Sequence, residues 1–267
     1  MKKQNKREKN NFNRIKTASV IVVLFIVGTI LNIPFSRELK RLKIEAGDAN
    51  VKLSDSIAND AIQTGIYGLI LGAVLVFVGL WISKSAQLGA PVIESIFSKE
   101  KREELTFSLK NVSSSVALSA ILAIVILFFH KLVRDFYPVT SIIERPAKIY
   151  YAAVSFSAGI TEEIIFRFGL MSLIITIILF FKQNKEITNT IVWVSIIITA
   201  ICFGLMHLPL SKNFSNLTIV TVSATMIGNL ITGSFFGWVY WKRGLLVAII
   251  GHIVWDLVFH VVGSPYL

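Results

Sequence analysis

The chain has one cysteine in 267 residues, Cys202, and that scarcity removes several kinds of chemistry. An intramolecular disulfide, a cysteine-based zinc site and a dithiol redox pair each need at least two thiols. Cys202 itself lies in an apolar run, where a thiol is an inert core side chain. Charge is scarce too: Asp, Glu, Lys and Arg make up 16% of the residues against 54% hydrophobic, with a mean hydropathy of +0.68. A soluble domain carries about 25% charged residues, so that class is excluded. The sequence also lacks alternating ten-residue strands, repeats, low-complexity tracts and a phosphate-binding glycine loop. These absences exclude a membrane β-barrel and a nucleotide-binding domain. Helices remain as the way to satisfy backbone groups in lipid.

What the sequence does have is a series of apolar runs reaching the ~20 residues that cross a bilayer. They predict an all-α, polytopic transmembrane bundle with spans near 17–34, 62–82, 114–133, 150–181, 188–209, 217–241 and 244–262. At ~1.5 Å per residue the fourth is too long for one straight crossing. It is expected to start as an interfacial or broken helix near Tyr150 and Tyr151, with a bend at Gly159 or Gly169. If Gly159 instead separates two full spans, the count is eight and the later topology inverts. With seven spans and a cytoplasmic amino terminus, 16 Lys and Arg fall inside and 10 outside, whereas eight spans divide them 13 and 13. The positive-inside rule therefore prefers seven.

Residues 1–149 read as a cytoplasmic tail and three spans with polar loops, and 150–267 as the functional core of one integrated membrane domain. The connections at 35–61 and 83–113 read as loops or short surface helices. The first span is expected to be an uncleaved anchor, because its apolar run is long and no A-x-A site follows. The expected location is the plasma membrane. The net charge of +11 includes the basic cluster Met1–Lys16. Anionic headgroups account for that cluster in a cytoplasmic tail, and with no recognition motif present no nucleic-acid partner is expected.

Of sixteen acidic residues, only Glu162, Glu163 and Asp256 fall within spans. An ionised side chain at membrane depth costs at least ~2.5 to 3.5 kcal/mol on insertion scales, which marks a functional site. His207 and His252 share that depth, whereas His130 and His260 lie near span ends and are assigned to the membrane interface. Glu163 and Arg167, at i and i+4, read as an ion pair. Glu162 lies ~100° around the helix from Glu163 and is the less compensated carboxylate, hence the candidate base. His252 and Asp256 are also i and i+4, so that Asp256 either fixes the imidazole tautomer or contacts substrate directly. Phe203 is expected beside His207.

Two chemistries follow from this set. Glu162, His207 and His252 are a donor set for a catalytic Zn2+ that activates water. Without metal, Glu162 and His207 activate the water while His252 and Asp256 hold the tetrahedral oxyanion. Gly228, Gly233 and Gly237 read as close-packing positions.

The spacing TEEIIFR (Thr161–Arg167), FGLMH (Phe203–His207) and HIVWD (His252–Asp256) on successive helices resembles the CAAX protease and bacteriocin-processing family, the Abi or type II CAAX prenyl endopeptidases. The resemblance covers about 150–260. It implies an intramembrane endopeptidase, commonly described in the family as a metalloprotease, with Glu162, His207, His252 and Asp256 as the site and Glu163 and Arg167 in support. A peptide or membrane-protein substrate follows, in bacteriocin, pheromone or leader-peptide processing or in self-immunity. The third motif ends in Asp256 where some members carry Asn. Two other classes stay open: a noncatalytic scaffold for another membrane protein, and an ion or proton transporter using the same charges. No inverted repeats support the transporter.

Overall fold

The computed structural model describes residues 2–86, 88–97, 102–133, 143–182 and 186–263, and helix is the only regular structure among them. Met1 of the basic tail, and Lys99, Lys101, Arg134 and Lys185 of the charge tally, lie outside the described residues. Among the described residues seven stretches are long and apolar enough to cross a membrane: Arg14–Glu45, Ile57–Phe77, Leu109–Leu132, Lys148–Phe181, Asn189–Ser211, Ile219–Arg243 and Leu245–Val262. The chain is a polytopic all-α membrane protein.

The first stretch runs well beyond its expected end. Helix α1 (Lys2–Leu31) breaks at Asn32 and resumes as α2 (Ile33–Glu45), with Pro34 in its first turn. Proline suits that position because its missing N–H would be unbonded there anyway. Helix α2 buries Ile33, Phe35 and Leu42 and exposes Arg41, which pairs with Glu38 and Glu45. Arg37 reaches Asp60 at the start of α3 (Ile57–Ala86). Much of the 35–61 connection is therefore a helix clamped to the bundle.

The second connection departs from the expected surface element. Helix α4 (Pro91–Ile96) and the residues before it bury Leu88, Ala90 and Ile93. The cause lies across the bundle, where α9 (Ile219–Arg243) and α10 (Leu245–Asp256) are joined by Gly244 alone, at φ +85°. A side chain there would lie 2.5 Å from Pro91 Cδ, and the Leu245 amide donates to the Gly89 carbonyl at 3.2 Å. The 88–96 segment fills the end of the bundle beneath this turn.

The fourth span is one continuous helix, without a break near Tyr150 and Tyr151 or a division into two spans at Gly159. It comprises α6 (Lys148–Glu162), a π-helical segment Glu163–Met171 and α7 (Ser172–Phe181). Gly159 serves contact rather than bending: a Cβ there would sit 2.5 Å from Ile253 Cγ1 and 2.9 Å from its backbone nitrogen on α10. Gly169 falls inside the π segment, the actual irregularity. Such widened turns recur at functional sites. A second π segment, Leu257–Val262, follows Asp256 directly.

Helix α5 spans Arg102–Val133 and α8 spans Asn189–Ser211. Helices α8 and α9 pack closely because Gly233 and Gly237 would place a Cβ only 2.9 Å from Ala200 and 3.0 Å from Ile196. Small residues allow this approach in a membrane, where dispersion rather than water exclusion holds helices together. Gly228 is the exception to the packing expectation, with no atom within 4 Å of the place a Cβ would take. Helix α10 contacts α5, α6 and α9, while the first π segment touches α3, α8, α9 and α10. Ile164, Phe168 and Met171 of that segment are fully buried, whereas Phe77, Phe128 and Phe180 face outward.

Candidate active site

Glu162, His207, His252 and Asp256 line one cavity of about 390 Å³, although they come from α6, α8 and α10. Phe203 lines it as well. Glu162 stands fourteen residues into α6, ~21 Å along its axis. The lining runs from Glu162, Thr232 and Asp256 within the bundle to Arg145, Phe214 and Ser215 in the connections at one end.

The hydrogen bonds decide which imidazole nitrogens face the cavity. His207 Nδ1 lies 2.8 Å from the Phe203 carbonyl, which only accepts, so Nδ1 carries the proton. His252 Nδ1 lies 2.7 Å from Glu163 Oε1 and donates to it for the same reason. The opposite nitrogens point at one carboxylate: His207 Nε2 is 3.9 Å from Glu162 Oε1 and His252 Nε2 is 3.8 Å from Glu162 Oε2. These separations exceed a direct hydrogen bond. Asp256 Oδ1 is also 3.8 Å from His252 Nε2.

Glu163, not Asp256, therefore holds the His252 tautomer, because Asp256 approaches the wrong nitrogen. The backbone supplies the reason. One helical turn from His252 brings Asp256 to the Nε2 side, while Glu163 reaches Nδ1 from the neighbouring helix.

Glu163 also pairs with Arg167 at 3.3 Å, as the spacing predicts, and the two side chains are 0% and 1% exposed. Arg167 is held three ways: by Glu163, by the Gly233 carbonyl at 3.2 Å and by the Phe203 ring, whose centroid lies 4.7 Å from the guanidinium carbon. A buried cation on an aromatic face gains up to ~2 kcal/mol. Phe203 packs its ring 4.5 Å from that of His207 and 6.1 Å from that of His252. It thus ties the Arg167 support to both imidazoles. The fit still leaves Glu163 Oε2, Arg167 Nε and Arg167 Nη1 without hydrogen-bond partners among the described residues.

His130 and His260 also line the cavity, beyond the interface role read from their places near span ends. The His260 ring stacks on Tyr151 at 5.4 Å. Several lining residues were not singled out from the sequence, among them Asn229, Thr232 and Trp255. For Asn229 a signal existed: a carboxamide within an apolar span is costly without partners, but an inventory of ionisable groups passes over it.

Among the described residues no three His, Cys, Asp or Glu side chains are arranged to hold a metal ion. Residues 145–258 match the family model described as type II CAAX prenyl endopeptidase Rce1-like. No curated protein and no solved structure matches the chain.

Proposed function

From the match of residues 145–258 to the Rce1-like family model in a multi-pass membrane protein, we propose that the chain is an intramembrane endopeptidase that hydrolyses peptide bonds with water activated by Glu162 and His207. The observation that carries the reading is the facing of two acceptors. Glu162 Oε1 and His207 Nε2 stand 3.9 Å apart, and with the carboxylate ionised and the imidazole neutral both of them accept. A water ~2.8 Å from each would see them roughly 90° apart, close to the angle between its two O–H bonds. The pair is thus a seat for one water, polarised by both neighbours.

In the reaction, the water oxygen attacks the carbonyl carbon while Glu162 takes one of its protons. The carbonyl π pair moves onto oxygen and leaves a tetrahedral oxyanion. His252, fixed by Glu163, and Asp256 stand on the other side of Glu162. A proton residing on that pair makes it a donor to the oxyanion. Collapse breaks the C–N bond, and the leaving nitrogen takes the proton from Glu162. The products are a carboxylic acid and an amine. Every step uses side chains alone, so no metal enters the scheme. Zinc bound through Glu162, His207 and His252 is a separate proposal, with its own test below.

The cavity mouth, at Arg145, Phe214 and Ser215, lies at the end of the bundle where α8 meets α9 and α6 begins. With a cytoplasmic amino terminus and seven spans that end faces outward, so we place substrate entry on the outer side of the plasma membrane. Membrane peptidomics of cells bearing the wild-type chain, Glu162→Gln or His207→Ala tests the activity. A peptide precursor that accumulates in both variants at normal membrane levels supports it. Identical peptidomes alongside an intact phenotype favour a noncatalytic scaffold.

A further inference from the structure

With Glu162 and Asp256 ionised and both imidazoles neutral, every group in the proposed machinery presents an acceptor to the cavity. Glu162 and Asp256 are carboxylates, and the Nδ1 protons of both histidines are committed elsewhere, to Phe203 and Glu163. Asp256 is only 6% exposed and, among the described residues, takes part in no hydrogen bond; it lies 3.8 Å from His252 Nε2. In that state these four groups offer no donor to a carbonyl oxygen, the atom on which charge develops during peptide hydrolysis, and of the other lining groups on α10 the Trp255 indole N–H is unpartnered among the described residues.

The cavity-lining face of α9 supplies one. Thr225 shares a hydrogen bond with Ser211 at 3.3 Å, and the Thr232 hydroxyl donates to the Gly228 carbonyl at 3.0 Å, so both hydroxyls have partners in the helices. Asn229 donates one amide proton to the Thr225 carbonyl at 2.8 Å. A carboxamide has two N–H donors, and among the described residues the second has no partner. Asn229 is held close to the site from two sides. Its Cβ lies 3.5 Å from where a Cβ on Gly204 would stand, one turn before His207, and it is one turn from Gly233, whose carbonyl holds Arg167. Beside it, Gly228 leaves space that no protein atom fills.

We propose that Asn229 is a catalytic residue that donates its free amide proton to the carbonyl oxygen of the scissile peptide bond, and that the gap at Gly228 lets the peptide backbone approach it. The inference rests on the endopeptidase reading. It adds a donor that needs no prior protonation, in a site whose third motif ends in a carboxylate. Gly228 thereby separates from Gly233 and Gly237: it makes room for a ligand, whereas they make room for a neighbouring helix.

The test uses the full chain in lipid nanodiscs with internally quenched dodecapeptides randomised at their central positions. Cleavage by wild type but not by Glu162→Gln establishes the protease reading in this assay. Asn229→Ala and the near-isosteric Asn229→Asp, which cannot donate when ionised, should then each lower kcat/KM by about 10²-fold or more, chiefly through kcat. Rates within threefold of wild type for either variant overturn the role of Asn229 and leave the protease reading standing. If wild type cleaves none of the peptides, the protease reading fails in this assay and thiol labelling decides the remainder. In a Cys202→Ser background, Gly228→Cys should react with a hydrophilic thiosulfonate at least tenfold faster than Ile227→Cys, and the peptides should slow that labelling severalfold. Equal rates at the two positions, or no protection by peptide, overturn the inference.

Discussion

Removing the charge of Glu163 while leaving Arg167 in place should destabilise the protein more than removing both charges together. The two groups are 3.3 Å apart and almost wholly excluded from solvent. At an effective dielectric of 20, Coulomb attraction at that distance is about 5 kcal/mol, and breaking a buried pair on one side costs ~3 to 5 kcal/mol because the survivor is stranded. Arg167 keeps the Gly233 carbonyl and the Phe203 ring, which puts Glu163→Gln near the lower end, about 3 kcal/mol. Arg167→Met should cost a similar amount by stranding the carboxylate. In the double variant no buried charge of the pair remains, and the glutamine carbonyl still accepts from His252 Nδ1. Its stability should return to within ~1 kcal/mol of wild type, a coupling of several kcal/mol. Equilibrium unfolding in mixed micelles, followed by helix ellipticity, measures the cycle. A coupling below ~1 kcal/mol would show that the pair is not a unit and refute the reasoning.

Gly159→Ala should lose about 1 to 3 kcal/mol in the same unfolding assay, since the added carbon meets Ile253 at 2.5 Å, whereas Gly228→Ala should leave stability unchanged. Equal effects of the two would mean that α10 yields at Ile253. Arg167→Lys should lose most of the stability that Arg167→Met loses, because an ammonium lacks the planar fork that spans Glu163, Gly233 and the Phe203 face; full retention would reduce Arg167 to a point charge. If zinc is bound through Glu162, His207 and His252, elemental analysis of purified protein should find close to one equivalent, abolished by His252→Ala. No zinc in active protein sinks that proposal. Reporter fusions after Lys212 and after Lys182 should read outside and inside respectively, and the reverse pattern would move substrate entry to the cytosolic side.

The seven spans were legible because a bilayer imposes a length and an apolar composition that any run of sequence displays. The Glu163–Arg167 pair was legible because helical spacing alone brings the two together. The pairing of Glu163 with His252 was not, since it joins residues 89 positions apart and depends on the packing of α10 against α6. Asp256, four residues from His252, was the nearer candidate on local spacing, and only the ring orientation shows that it meets the other nitrogen. The buried 88–96 segment is too short and too mixed in composition to signal burial. Its depth follows from the one-residue turn at Gly244, a feature of two other helices. Gly159 and Gly228 look alike in sequence, yet one is filled by a neighbour and the other opens on a cavity.

The turn at Gly244 leaves no slack between α9 and α10. At that end neither helix can slide along the other by more than one residue's torsions absorb, and the Gly89 carbonyl bonded to the Leu245 amide pins the turn further. The pair therefore behaves as a hairpin closed at one end. Separation of its arms grows toward the opposite end, where residues 212–218 join α8 to α9 and the second π segment ends α10. Strain applied by an entering chain is felt at Phe214 and His260 before it reaches His252. His252 lies between the fixed and the freer end, so a parting of the two arms displaces it less than it displaces His260.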